Sequence, residues 1–101
     1  MRVRFLKTAQ SDLLVCGDYY QEIGGANLAR TMLARIKGPI RALVDNPEIA
    51  PPYELAPGVR RLVVARGAFL VFYRVIADIE VIHIRRAERE PVTADALART
   101  T

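Results

Sequence analysis

The stretch 60–90, RRLVVARGAFLVFYRVIADIEVIHIRRAERE, limits the folds open to this chain more than any other. Three apolar runs, residues 59–64, 68–76 and 79–84, are separated by an Arg-Gly turn at Arg66 and Gly67 and a tight turn at Ala77 and Asp78. Runs of this length, rich in Val, Ile, Phe and Tyr and bounded by turn residues, predict strands joined in a meander. The middle run is apolar on both alternating sets. Phe69, Val71, Tyr73 and Val75 point one way, and Leu70, Phe72 and Ile76 the other. A strand covered on both faces is an interior strand with a helix layer on at least one side.

The helices come before it. Residues 2–6 (RVRFL) alternate and predict a short first strand, after which Thr8 is placed to cap a helix. Ala9, Leu13, Cys16, Tyr20 and Ile23 recur at helical spacing and make one apolar face, ended by Gly24 and Gly25. A second helix is predicted from about residue 26 to residue 46, burying Leu28, Met32, Ile36, Ile40, Leu43 and Val44. Pro39 falls inside it, but the apolar spacing resumes in phase at Ile40, which predicts a kinked continuous helix. Residues 47–58 hold four of the six prolines and predict an extended connector. A short tail helix is placed at residues 93–99. Two helices with a short link form an antiparallel hairpin, and the sheet is the surface that can bury its stripe. The predicted fold is α+β and two-layered: an N-terminal strand, an antiparallel helical hairpin packed on a mainly antiparallel sheet of about four strands, and a short C-terminal tail. Residues 1–101 are expected to form a single domain, near the usual size.

Composition narrows the chemistry. One cysteine, Cys16, excludes an internal disulfide and a cysteine-rich zinc site, and a reducing cytoplasm is the expected compartment. Met1 to Lys7 alternates charge with apolar residues, so no secretory leader is expected, and no window approaches a membrane span. The net charge is +4, most of it on the sheet half. Arg60, Arg61, Arg66, Arg74, Arg85, Arg86 and Arg89 stand in the central stretch with no lysine among them. Guanidinium forks suit phosphate or carboxylate clamping; pairing with nearby glutamates is the competing reading, and the residues leave both open. Arg74 breaks an apolar strand, so it either leaves the core at an edge or meets an acid such as Glu80.

Catalytic patterns are sparse. The glycines form no phosphate loop, and a single histidine, His83, excludes paired-histidine metal sites. His83 is read on the same strand face as Val81 and Arg85, either as a general base or as a half-exposed residue held by a neighbouring acid or carbonyl. A Cys16–His83 nucleophile pair is outweighed by the place of Cys16 on an apolar helix stripe. Tyr20 and Tyr73 are read as core residues, whereas Tyr53, in the proline-rich connector, is read as freer and able to contact a partner.

Several pieces in order resemble one family. They are Ala9, Asp12 and Leu13 on the first helix, and Leu43 and Pro47 at the end of the second. The strand start Gly58-Val59-Arg60-Arg61-Leu62, the strand Phe72-Tyr73-Arg74-Val75 and the ending EVIHIRRAER complete the set. Over residues 3–90 the chain resembles the RelE/ParE superfamily of bacterial type II toxin–antitoxin toxins, closer to the ParE branch. The resemblance implies a toxin that inhibits DNA gyrase, with no catalytic residues and no cofactor or metal. It also implies neutralisation by a cognate antitoxin in a hetero-oligomer, and no membrane association. RelE-like relatives instead cleave messenger RNA on the ribosome; here Leu70 stands at their arginine position, no tyrosine follows Tyr73 and no lysine follows Lys37. The ending also differs from the commonest ParE one. His83 stands where its first arginine is usual and Arg86 where its histidine is usual, while Arg89 keeps the final basic position. Candidate target-binding residues are Arg61, Arg74, His83, Arg85, Arg86 and Arg89, the arginines among them taken as one basic rim. Arg60, Tyr53 and Arg66 are candidates for antitoxin binding. The competing functions are a RelE-like messenger RNA endonuclease and a non-toxic antitoxin-binding module.

Overall fold

A computed structural model describes residues 1–88 and 94–98. The order is β1 (Val3–Phe5), α1 (Lys7–Ala42), β2 (Arg60–Val64), β3 (Phe69–Val75), β4 (Ile79–Arg86) and α2 (Ala94–Ala98). The strands form one sheet in the order β1-β4-β3-β2, with β1 parallel to β4 and the other pairs antiparallel.

α1 is a hairpin rather than a rod. At 1.5 Å per residue a straight helix of this length spans roughly 54 Å, whereas the longest dimension of the molecule is 38 Å. The chain turns at Gly25, whose φ of 85° and ψ of 178° lie in a region open only to glycine. The arms meet where Gly17 lies against Leu33, with only 3.3 Å between a Cβ built at Gly17 and Leu33 Cδ1. Pro39 sits inside the second arm without interrupting it. It is exposed, as is Arg35, whose carbonyl it leaves without a helical amide.

The hairpin's apolar side closes on one face of the sheet. Ala9, Cys16, Ile36 and Ile40 pack against Val71, Tyr73, Val81 and Ile84. The other face carries a smaller cluster in which Phe72 and Ile82 are covered by Tyr53, Ala56 and Val59 from the connector and by Leu97 of α2. β3 is therefore interior and covered on both sides, as its composition predicts, except that Ile76 lies past the strand end and is exposed. Tyr73 is fully buried and its hydroxyl donates to the carbonyl of Pro47 at 2.7 Å.

Several local expectations are corrected. Leu6, not Thr8, precedes the first helical residue and makes no side-chain cap; Thr8 lies in the first turn. The second arm ends at Ala42 and passes into tight turns up to Asn46. Ile23 and Val44 are exposed rather than buried. The connector is folded rather than extended: the Tyr53 amide donates to the Val59 carbonyl at 2.8 Å, closing a loop. Tyr53 is buried rather than free, because that loop turns its ring onto Phe72 at 4.9 Å between centroids. His83 is not on the face of Val81. The register steps from Phe72↔His83 to Tyr73↔Val81, leaving Ile82 as an extra residue, a β-bulge. Phe72 and Tyr73 point to opposite faces, so their partners His83 and Val81 do too.

Candidate functional site

The basic residues divide into three groups. At the start of β4, Glu80 stands opposite Arg4 on β1 and Arg74 on β3, accepting from Arg74 Nε at 2.7 Å and Arg4 Nη1 at 3.2 Å. Arg60 is committed to the connector, donating to the carbonyls of Ala50 at 2.7 Å and Glu48 at 3.1 Å. Arg61 lies over the ring of Tyr53 at 5.9 Å. Arg66 is exposed in the β2–β3 turn, where Ala65, Arg66 and Gly67 all have positive φ.

Arg85 and Arg86 form the third group, at the far end of β4. At about 3.3 Å per residue, the six-residue offset puts Arg86 roughly 20 Å along the strand from Glu80 and its arginines. The predicted arginines therefore do not share one rim. Arg89 lies outside the described residues.

Around Arg85 and Arg86 the molecule has an open cleft of about 760 Å³ between the first arm of α1 and the end of β4. Asp12, Val15, Cys16 and Tyr19 contribute from the helix, and His83, Arg85 and Arg86 from the strand. The guanidinium of Arg86 lies over Tyr19 at 4.5 Å and Phe69 at 5.8 Å, and 3.8 Å from Glu88. Those two rings hold it by cation–π attraction and pin the helix to the strand. Arg85, paired with Leu70 on the opposite face, makes no ion pair among the described residues.

Asp12 closes the back of the cleft. One oxygen, Oδ2, accepts from the Ile84 amide at 2.9 Å and lies 2.7 Å from His83 Nδ1. An ionised carboxylate only accepts, so the proton between the two groups sits on Nδ1, which donates to Asp12. The imidazole is stacked on Phe72 at 6.2 Å. Burial pushes the Cys16 thiol above its ordinary range, against a smaller downward pull from Arg86. His83 turns its Nδ1 to Asp12 rather than to that thiol. Among the described residues no group of three or more His, Cys, Asp or Glu could hold a metal ion.

Sequence reasoning used Asp12 only as a motif position and gave Val15 and Tyr19 no site role. A signal was present: Asp12 lies three residues after Ala9 and four before Cys16, on the stripe that is buried. An acid there needs a partner.

The model of the ParE toxin of type II toxin–antitoxin systems (parDE) matches residues 3–91. The chain belongs to the ParE toxin family. A solved structure of a chromosomal ParDE toxin–antitoxin system from P. aeruginosa is 30% identical, with a TM-score of 0.76, covering 87% of this chain and 97% of that one. No curated protein matches. This ParE-type toxin has no described helix long and apolar enough to cross a membrane.

Proposed function

We propose that this chain acts as the toxin of a cytoplasmic toxin–antitoxin module, inhibiting DNA gyrase and held inactive by a cognate antitoxin in a hetero-oligomer. The observation that carries the reading is the match to the ParE toxin model over residues 3–91. The mechanism this resemblance implies is binding to gyrase and trapping its cleaved-DNA state.

Geometry narrows the proposed contact surface. Arg74 is spent on Glu80, whereas Arg85 and Arg86 share a cleft with His83. Arg85, Arg86 and His83, with Arg61 and Arg89 as further candidates, are the proposed target contacts. Of the proposed antitoxin contacts, Arg66 is exposed, while Arg60 and Tyr53 serve mainly to hold the connector. The test is a supercoiling assay with purified protein, scored for linear DNA. Inhibition with accumulating linear DNA is expected, weakened by the double substitution Arg85→Ala and Arg86→Ala with folding retained. Unchanged potency of the folded double variant would discard that surface.

One observation favours a second reading. The Asp12–His83 pair, with arginines alongside, has the form of an oriented base near a phosphate clamp, which suits RNA cleavage. A blank gyrase assay together with cleaved messenger RNA on ribosomes would select it.

A further inference from the structure

The face of the sheet turned away from the helices carries its charge at one end. Register sets two rows of side chains across it: Arg61, Phe72 and His83, then Val63, Leu70 and Arg85. In the first row Tyr53 covers Phe72. The second row is more open, with Val63 53% exposed and Leu70 and Arg85 half-buried. Just beyond it the β2–β3 turn presents Arg66, which is exposed.

The three arginines at this end are uncommitted. None of Arg61, Arg66 and Arg85 makes an ion pair among the described residues, and neither row contains an acid. The acids go elsewhere: Glu80 to Arg4 and Arg74, Glu48 to Arg60, Glu88 to Arg86. Arg61 lies over the Tyr53 ring at 5.9 Å, a contact that uses none of its N–H donors.

The chemistry of this patch selects a class of ligand. The centre of a protein–protein interface is rich in apolar and aromatic side chains and poor in charge, whereas a protein–DNA interface is strongly positive. In the two rows Val63 is the only strongly exposed apolar side chain. Two strand spacings and two residues separate Arg61 from Arg85, which puts their Cα atoms about 12 Å apart. The major groove of DNA is also about 12 Å wide.

We propose that this end of the sheet face binds the phosphate backbone of duplex DNA, with Arg61 and Arg85 on the two sides of one groove and Arg66 on a third phosphate. Guanidinium forks clasp phosphate through paired N–H donors, and such contacts position the protein without reading sequence. The inference rests on the toxin reading and deepens it: Arg61 and Arg85 reach the DNA that gyrase holds, rather than gyrase itself. The helical hairpin is a poor alternative site. It exposes Arg30 and Arg41, but Asp18, Glu22 and Asp45 are exposed with them and offset their charge.

The test is fluorescence anisotropy of a short labelled DNA duplex with the full-length protein and no gyrase. Three neutralised phosphates should make affinity fall about fortyfold between about 50 and about 200 mM salt. In the double variant Arg61→Ala and Arg85→Ala, the fall should shrink to about three- to fourfold. Arg66→Ala, in an exposed turn, should leave a fall of about twelvefold and keeps the test open if the double variant does not fold. Arg30→Ala with Arg41→Ala removes the same charge from the hairpin and should change nothing. No binding at millimolar protein, a salt dependence that the sheet-face variants do not move, or an equal loss from the hairpin pair would each overturn the DNA contact. Tighter binding of a single-stranded RNA of the same sequence would overturn the duplex assignment. Displacement of the DNA by polyglutamate at equal charge would give the face to an acidic protein instead. DNA binding with a blank gyrase assay would discard only the gyrase reading, and gyrase inhibition without DNA binding only this inference.

Discussion

Asp12 and His83 are 71 residues apart in the chain and 2.7 Å apart in the fold. Through this contact, and through the Ile84 amide at 2.9 Å, the first helix is tied to the last strand just past the point where β1 ends. Asp12→Ala would leave a partly buried amide and imidazole without their acceptor, at a cost of about 2–3 kcal/mol. Asp12→Asn keeps an oxygen for the Ile84 amide and should lose less. Urea denaturation of the two variants decides it, and equal stability of wild type and Asp12→Ala would remove the tie from the account.

Glu80 faces two arginines, and the three should be unequal in worth. Removing Glu80 strands both guanidinium groups, so Glu80→Ala is expected to cost about 1–2 kcal/mol. Arg4 is the most exposed of the three, and Arg4→Ala should fall within about 0.5 kcal/mol of wild type. A double-mutant cycle across Arg74 and Glu80 should return a favourable coupling larger than that of Arg4 and Glu80. The reverse order would contradict the geometry.

Gly25 and Gly38 make opposite predictions for one substitution. Neither has an atom near enough to obstruct a Cβ. At Gly25 the backbone lies at a positive φ closed to other residues, so Gly25→Ala should destabilise by about 1–3 kcal/mol. At Gly38 the backbone is helical and the site exposed, so Gly38→Ala should stabilise by about 0.5–1 kcal/mol. Thermal melts of both proteins would show whether Tm moves in opposite directions.

Burial raises the Tyr73 phenol above its ordinary value of 10.0, which favours the protonated form in the fold. Its contribution to stability is therefore complete below the unfolded value and is lost as pH rises from there through the folded value. Stability should fall above about pH 10 by proton linkage. Tyr73→Phe should be less stable at neutral pH by about 1 kcal/mol, because the Pro47 carbonyl loses its donor, but its alkaline fall should be shallower. Parallel slopes for the two proteins above pH 10 would assign the alkaline loss to other groups, Cys16 among them.

The strands and the hairpin were legible because their signals are local. Alternation in residues 69–75 marks a strand apolar on both faces, and the glycines at 24 and 25 mark the reversal between two striped helices. Continuity through Pro39 was legible from the phase of Ile36 and Ile40. The position of His83 was not, because one extra residue at Ile82 reverses every side chain after it and nothing in the run EVIHIRR marks that step. Tyr53 departs from its expectation for a related reason: a proline-rich segment reads as exposed unless its loop closure is known, and here it folds onto Phe72.

Period and composition, carried by neighbours in sequence, were enough for the α+β layering, the core stripes and the choice of β3 as the interior strand. The grouping of charges was settled by contacts between distant segments. Arg74 and Arg86 look alike in the chain, yet register places Arg74 on Glu80 and Arg86 on Tyr19. The cleft likewise exists because a three-residue β1 stops short of the end of β4 and Asp12 crosses over from the helix. Hydrophobic pattern says which face of an element is buried. Pairing register and strand length, fixed by long-range packing, say which side chains meet.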